Sequence, residues 1–375
     1  MKLCNILVPA VAACLLAACA SKGPEPSPLP DFKQSGQLKE LWGHGLGSTE
    51  GSLLRPTLVG GSVYAASRSG ELVRYDAAGR RVWRVWTDKN LSGGVGSDGT
   101  LVAVASSDGK LIVHEADSGK LRWSVPVGGE IVVTPLVTND SVVVRIGDNV
   151  LAAYNVADGK RRWIYQRPQS PLTLRTYAGI QLANDLVLAG FPGGKLVAVS
   201  ASGGVQRWEA TIMQPKGSNE LERMSDVVGT PLLQGDAVCV AAYQGKVACV
   251  DRESGTVRWT RDFSSAVGMD VDAKGVFITD TSDVVYSLDT GTGTTSWKQD
   301  SLKYRKLGRP VIVGDSVVVS DAQGYVHVMS RQDGHFIARV RADSSGVLAP
   351  IQLLPNNAVA LQAQDGDLYV YTVPQ

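Results

Sequence analysis

Cysteine is scarce and poorly placed for a staple. Of the five, Cys4, Cys14 and Cys19 lie in the first 19 residues, which leaves only Cys239 and Cys249 for the folded part. No disulfide scaffold is implied. Those two flank Tyr243-Gln244-Gly245-Lys246, and a strict two-residue turn there pairs Val240 with Cys249 in place of Cys239. They are read as two buried free thiols. A surplus of charge is also missing, with 37 Lys+Arg against 36 Asp+Glu, so no nucleic-acid partner and no polybasic membrane surface are expected. Histidine is limited to His44, His114, His327 and His335, without metal-ligand spacing. No Gly-x-Ser-x-Gly, Gly-x-x-x-x-Gly-Lys or His-Glu-x-x-His occurs. These absences point away from an enzyme, a resident metal or a cofactor. Long amphipathic stretches of helical period are lacking as well.

What the chain does have is 41 Gly, 44% apolar residues and abundant Val over 375 residues. That composition favours many short strands joined by tight turns, an all-β fold. The apolar run from Ile6 to Ala18, behind Lys2 and interrupted by Pro9, is too short to span a bilayer and suits a secretory signal. It ends Leu16-Ala17-Ala18-Cys19, which resembles the bacterial lipobox and implies a lipid on Cys19. Ala20 and Ser21 follow in place of Asp, as in lipoproteins sent to the outer membrane. Residues 20–37 carry Pro24, Pro26, Pro28 and Pro30 with few apolar side chains, so they are expected to be an extended tether.

The remainder is organised by a repeat. Trp83, Trp123, Trp163, Trp208, Trp259 and Trp297 each stand four residues after a glycine, namely Gly79, Gly119, Gly159, Gly204, Gly255 and Gly293. A seventh copy keeps Gly334 and replaces the tryptophan with Ala338. Eight middle turns accompany them: Ser69-Gly70, Asp108-Gly109, Asp148-Asn149, Gly193-Gly194, Gln244-Gly245, Ser282-Asp283, Gln323-Gly324 and Asp365-Gly366. All tolerate the positive φ of two-residue primed hairpins. Residues 38–375 divided among eight units give about 42 each, the size of a four-stranded propeller blade. The eighth unit stops at Gln375 one strand short, while Leu41-Trp42 opens the chain without a unit. Ring closure by the N-terminal strand repairs both and removes exposed sheet edges. The expected fold is an eight-bladed β-propeller, its tryptophans packing between blades.

Two connections break the repeat. Pro56 to Gly70, Pro231 to Gly245 and Pro310 to Gly324 are each 14 residues, which lets the preceding connection be measured. Trp123 to Pro135 takes 12 residues and Trp297 to Pro310 takes 13, but Trp163 to Ile180 takes 17 and Trp208 to Pro231 takes 23. Both are outer-to-inner connections of consecutive blades, so strand alternation sets them side by side on one face. Enlarged neighbouring loops are where binding resides. The first contains Pro168-Gln169-Ser170-Pro171-Leu172-Thr173-Leu174-Arg175 and the second Glu220-Leu221-Glu222-Arg223-Met224-Ser225-Asp226.

The repeat, for example Ala116-Asp117-Ser118-Gly119-Lys120-Leu121-Arg122-Trp123, resembles the tryptophan-docking repeat of pyrroloquinoline quinone dehydrogenases. That likeness makes a quinoprotein oxidoreductase the rival reading, although their adjacent Cys-Cys pair is missing here. Lipobox, Pro-rich tether, eight repeats and the two loops together resemble the BamB family, propeller lipoproteins of the outer-membrane β-barrel assembly machinery. Arg223-Met224-Ser225-Asp226-Val227 and Asp343-Ser344-Ser345-Gly346 look like that family's sequence. The resemblance implies a non-enzymatic scaffold on the periplasmic face of the outer membrane, held to its inner leaflet by lipid. It further implies binding to the POTRA domains of BamA, and contact with nascent outer-membrane proteins. A Leu-x-Leu-Arg stretch and an Arg-Leu-Ser-Asp-Val-Asp stretch carry the BamA contact in the family; here they fall on Leu172, Leu174 and Arg175, and on Arg223 and Asp226. The family's second aspartate is replaced by Val228. Asp226 either meets the partner or pairs with Arg175 or Arg223 to set the loop.

Overall fold

The computed structural model describes residues 24–147, 149–168, 170, 172–174 and 179–375. Cys19, the rest of the leader and Arg175 lie outside the described residues. Among the described residues every regular element is a strand, and the strands form eight four-stranded antiparallel sheets set in a ring. The chain is an eight-bladed β-propeller. In each of the first seven blades the strands follow one another from the axis outward. The last blade takes Gln352–Leu354, Ala358–Gln362 and Leu368–Thr372 from the C-terminal end, and Lys39–His44 from the N-terminal end as its outer strand. That strand closes the ring, as the orphaned Leu41-Trp42 requires.

The sequence of each strand reflects its distance from the axis. Middle strands such as Leu101–Ser106 are buried at every position, because a blade has a neighbour on both faces, and they are mostly Val and Ala. Outer strands such as Arg161–Gln166 are half exposed and mix Arg, Gln and aromatic residues. The alternation expected of a sheet with one wet face therefore survives only at the rim.

Each tryptophan of the repeat docks on the glycine of the following blade. The indole N–H of Trp163 donates to the Ala201 carbonyl at 2.7 Å, and a Cβ on Gly204 would stand 2.6 Å from the Trp163 ring. Gly204 also has φ +66°, a conformation that L side chains resist, so space and backbone both demand glycine. The same indole bond recurs from Trp83, Trp123, Trp208, Trp259 and Trp297. Trp42 lies on Gly79 and joins the last blade to the first. The repeat lacks its tryptophan only at Ala338, where the following blade is the one assembled from both chain ends. No continuous third-to-fourth-strand turn exists there to carry a docking glycine.

The middle turns differ from the expected primed pairs. Ala105 pairs with Leu111, and the Ser106 carbonyl accepts the Gly109 N–H at 3.0 Å. The loop thus has three residues, with Gly109 left-handed at φ +78°. This is the geometry of a type I turn followed by a left-handed residue, the usual three-residue hairpin. One added residue shifts the register by one. In the Tyr243-Gln244-Gly245 turn, where Gln244 is the left-handed residue at φ +47°, the shift sets Cys239 opposite Cys249. Their Cα atoms are 4.1 Å apart and their sulfurs are bonded. The expectation of two free thiols is therefore wrong, and its cause is the assumed turn length.

Candidate functional site

The two long connections meet on the face that also carries the middle turns. The first leads from Arg161–Gln166 to Ile180–Ala183, and the second from Gln206–Thr211 to Val227–Gln234. A bond between them is that of the Leu174 backbone N–H, which donates to the Asp226 carboxylate at 2.6 Å. Asp226 is 5% exposed, and its own carbonyl accepts the Tyr243 N–H at 2.9 Å. Its carboxylate is turned inward and clamps the loops together. This bond to a backbone amide is of the loop-setting kind.

The leucines divide. Leu174 packs against the core cluster around Cys239, Ala241 and Met269, whereas Leu172 is 41% exposed and available. Leu221, in the second stretch but not among the contact residues that the resemblance implies, is 65% exposed. Arg223 is half exposed: its Nε donates to the Gly217 carbonyl at 3.0 Å, and Nη1 lies 3.9 Å from Glu220. Such a pair in solvent is weak, so the guanidinium is free to exchange partners. The loop supports itself through Glu222, whose carboxylate accepts the Ser218 N–H at 2.7 Å and the Asn219 side-chain N–H at 2.9 Å. The Ser218 backbone bond is the main reason its pKa sits below the ordinary glutamate value. On the joined loops Leu172 and Arg223 thus face outward and Leu174 and Asp226 inward; Arg175 lies outside the described residues.

Toward the axis this surface opens into an apolar cavity of about 490 Å³ lined by Leu53, Leu174, Tyr243, Leu307, Leu348 and Pro350 among others. Nothing along the chain signals it, because its walls come from different blades and converge only once the ring is closed. Asp283 lies at its wall and accepts the Lys306 and Leu307 N–H groups, each at 2.8 Å. Burial raises its pKa above the usual carboxylate value despite those bonds. The Asp343-Ser344-Ser345-Gly346 stretch reaches the same face, where Ser345 donates both N–H and O–H to the Asp343 carboxylate, at 2.6 and 2.7 Å.

With this geometry in place, the comparisons with known proteins are specific. A family model described as "Outer membrane protein assembly factor BamB" matches residues 68–299 and 282–373. The chain belongs to the BamB family. A BamB of Burkholderia pseudomallei is 40% identical over 365 residues, covering 96% of this chain and 95% of that one. A BamB of Bordetella pertussis is 37% identical over 346 residues, covering 92% and 89%. The crystal structure of BamB from Moraxella catarrhalis superimposes with a TM-score of 0.83 at 26% identity, covering 90% of this chain and all of that one. BamB relatives share both length and architecture with this chain, and they carry its function as an outer membrane protein assembly factor. A quinohemoprotein alcohol dehydrogenase from Comamonas testosteroni gives a TM-score of 0.70 at 14% identity, covering 89% and 76%. That likeness is of fold alone, and a fold does not transmit a catalytic site. Membership of the BamB family makes this protein a non-enzymatic assembly component at the outer membrane and sets the oxidoreductase reading aside.

Proposed function

We propose that the protein is a lipid-anchored scaffold of the outer-membrane assembly machinery that holds the POTRA domains of BamA through the joined loops around Leu172, Leu174, Arg175, Arg223 and Asp226. Cys19 bears the lipid, and the propeller works from the periplasmic face. The observation that carries this reading is the Leu174–Asp226 clamp, which fuses two enlarged loops into one surface while leaving Leu172, Leu221 and Arg223 outward. Exposed leucines offer ~1.5 to 3 kcal/mol each when a partner buries them fully. A half-exposed arginine beside them can make a charge-assisted contact to a carboxylate, and arginines of this kind are frequent hot spots. Asp226 contributes by shaping the surface.

The test uses the full-length protein and isolated POTRA domains. A Leu172→Ala, Arg223→Ala double variant should bind at least ~2 kcal/mol more weakly, roughly thirtyfold in Kd. Its melting temperature should stay within about a degree, because neither side chain enters the core. Unchanged affinity refutes the interface. For the anchor, a Cys19→Ala variant with its signal retained should lose outer-membrane retention; normal retention refutes it.

A further inference from the structure

We propose that residues 24–37 are a docked strap that holds the loop face of the propeller toward the inner leaflet of the outer membrane. The inference rests on the reading of Cys19 as the lipid-bearing residue and concerns what the chain does after it.

A segment this rich in proline and poor in apolar side chains is expected to lie free. Instead, it is fastened to the propeller at several points. The Ser27 N–H donates to the Lys303 carbonyl at 2.9 Å, and the Ser27 carbonyl accepts from Arg305 Nη1 at 3.0 Å. Arg305 is itself 3% exposed and ion-paired to the fully buried Asp321 at 2.7 Å, so the strap is fastened to a rigid part of the core. Farther on, the Phe32 ring stacks on Phe336 at 5.3 Å with the Arg339 guanidinium over it at 4.9 Å. Arg339 Nη2 also donates to the Pro30 carbonyl at 2.7 Å. Finally the Ser35 and Gly36 N–H groups both reach the Ile337 carbonyl, at 3.0 and 3.3 Å. These last bonds occupy the open edge of the outer strand Phe336–Arg341, which among the described residues has no strand partner on that side.

Direction follows from the topology. Lys303 and Arg305 lie in the connection between Thr295–Gln299 and Val311–Val313, an outer-to-inner connection like those of the candidate interface. Ser27 is therefore on the loop face. The strap then descends along the outer strand of the seventh blade to Leu38, and Lys39–His44 climbs back as the closing strand. The chain consequently leaves toward Cys19 from the loop face.

The docking shortens the leash. Eighteen free residues from 20 to 37 would reach ~55 Å as an extended Pro-rich chain. From Ser27 back to Cys19 is eight residues, at most ~26 to 29 Å. Six-residue strands alone stand ~20 Å tall, so a leash of that length leaving one face cannot present the other face to the bilayer as readily.

The experiment uses the full-length lipoprotein in vesicles of phosphatidylethanolamine and phosphatidylglycerol carrying headgroup quenchers. A single fluorophore is placed either at Asp365→Cys, in a middle turn on the loop face, or at Gln332→Cys, in a turn on the opposite face. Backbone hydrogen exchange is followed in parallel at Ser27 and Ser35. The loop-face probe should be quenched at least about twofold more strongly, and both amides should be protected. Phe32→Ala should expose the Ser35 amide and bring the two probes toward equal quenching. A Gly/Ser insertion after Gly23 should equalise the probes while both amides stay protected, which separates the docked strap from the short leash. Equal quenching in the unaltered protein, or unprotected amides there, overturns the strap. Protected amides on a protein that fails to join the vesicles overturn the lipid reading of Cys19 and, with it, the membrane role of the strap.

Discussion

Replacing Asp226 with alanine separates a residue that shapes the binding surface from one that touches the partner. The carboxylate is 5% exposed and accepts the Leu174 N–H at 2.6 Å across 52 positions of sequence. Its removal leaves a half-buried amide without its charged acceptor, at a loss of ~1.5 to 3 kcal/mol for a charge-assisted bond. Because the bond joins two loops at the surface of a ring of packed blades, the loss should appear first as local opening. Exchange of the Leu174 amide is the direct measure: each ~1.4 kcal/mol is tenfold, so it should quicken roughly ten- to hundredfold. The blades should keep their protection. Asp226→Asn retains an acceptor oxygen without the charge and should recover about half of the loss. Affinity for the POTRA domains should follow loop protection through both variants, since a disordered loop must be ordered again on binding. Two results would refute this reasoning. Unaltered exchange at Leu174 in the alanine variant would show that the bond does not hold the loops. Restored protection with lost binding in the asparagine variant would show that the charge itself meets the partner.

Three further outcomes test the physical account. Gly204→Ala should destabilise the protein by ~2 to 4 kcal/mol in urea unfolding, combining a left-handed alanine with overpacking of the Trp163 ring; a loss below ~1 kcal/mol would refute the account of the tryptophan joint. Cys239→Ala, Cys249→Ala should lower stability by roughly 2.5 to 3 kcal/mol, as expected for opening a covalent loop of this short sequence separation, and a reducing agent should act on the unaltered protein alone. Burial holds the pKa values of His114 and His327 below the ordinary histidine value, so the unfolded chain binds more protons. Their stabilising contribution is complete above about pH 6.5 and declines as acid is added, by up to ~1.4 kcal/mol per pH unit for each histidine until the folded-state value is passed. Equal unfolding free energies at pH 7.5 and 5.5 would contradict that sign.

Glycines and tryptophans spaced four apart, the eight middle turns and the eighth unit left one strand short together pointed to the blade count and to closure by the N-terminal strand. They are legible because a repeat must place the same packing contact at every joint, and a glycine under an indole ring has no substitute. Loop lengths measured against that repeat also located the face of interest. Its chemistry was less accessible. Leu172 and Leu174 are two residues apart and alike in type, yet one faces solvent and the other the core, which depends on how the loop settles against Met269 and its neighbours. For Asp226 the sequence leaves partner contact and loop-setting both open, and its bond to the Leu174 amide is not legible there because the two lie 52 residues apart in the chain. One residue of turn length, too local for the repeat to specify, decided whether Cys239 met Cys249. The Pro-rich segment reads in sequence as an extended tether, and its bonds to the seventh blade are not legible there, since composition measures what a segment can bury alone and says nothing of a finished blade edge beside it. Patterns fixed by covalent spacing are written along the chain. Contacts between distant segments exist only after the ring has closed and each loop has come to rest against what the others leave exposed.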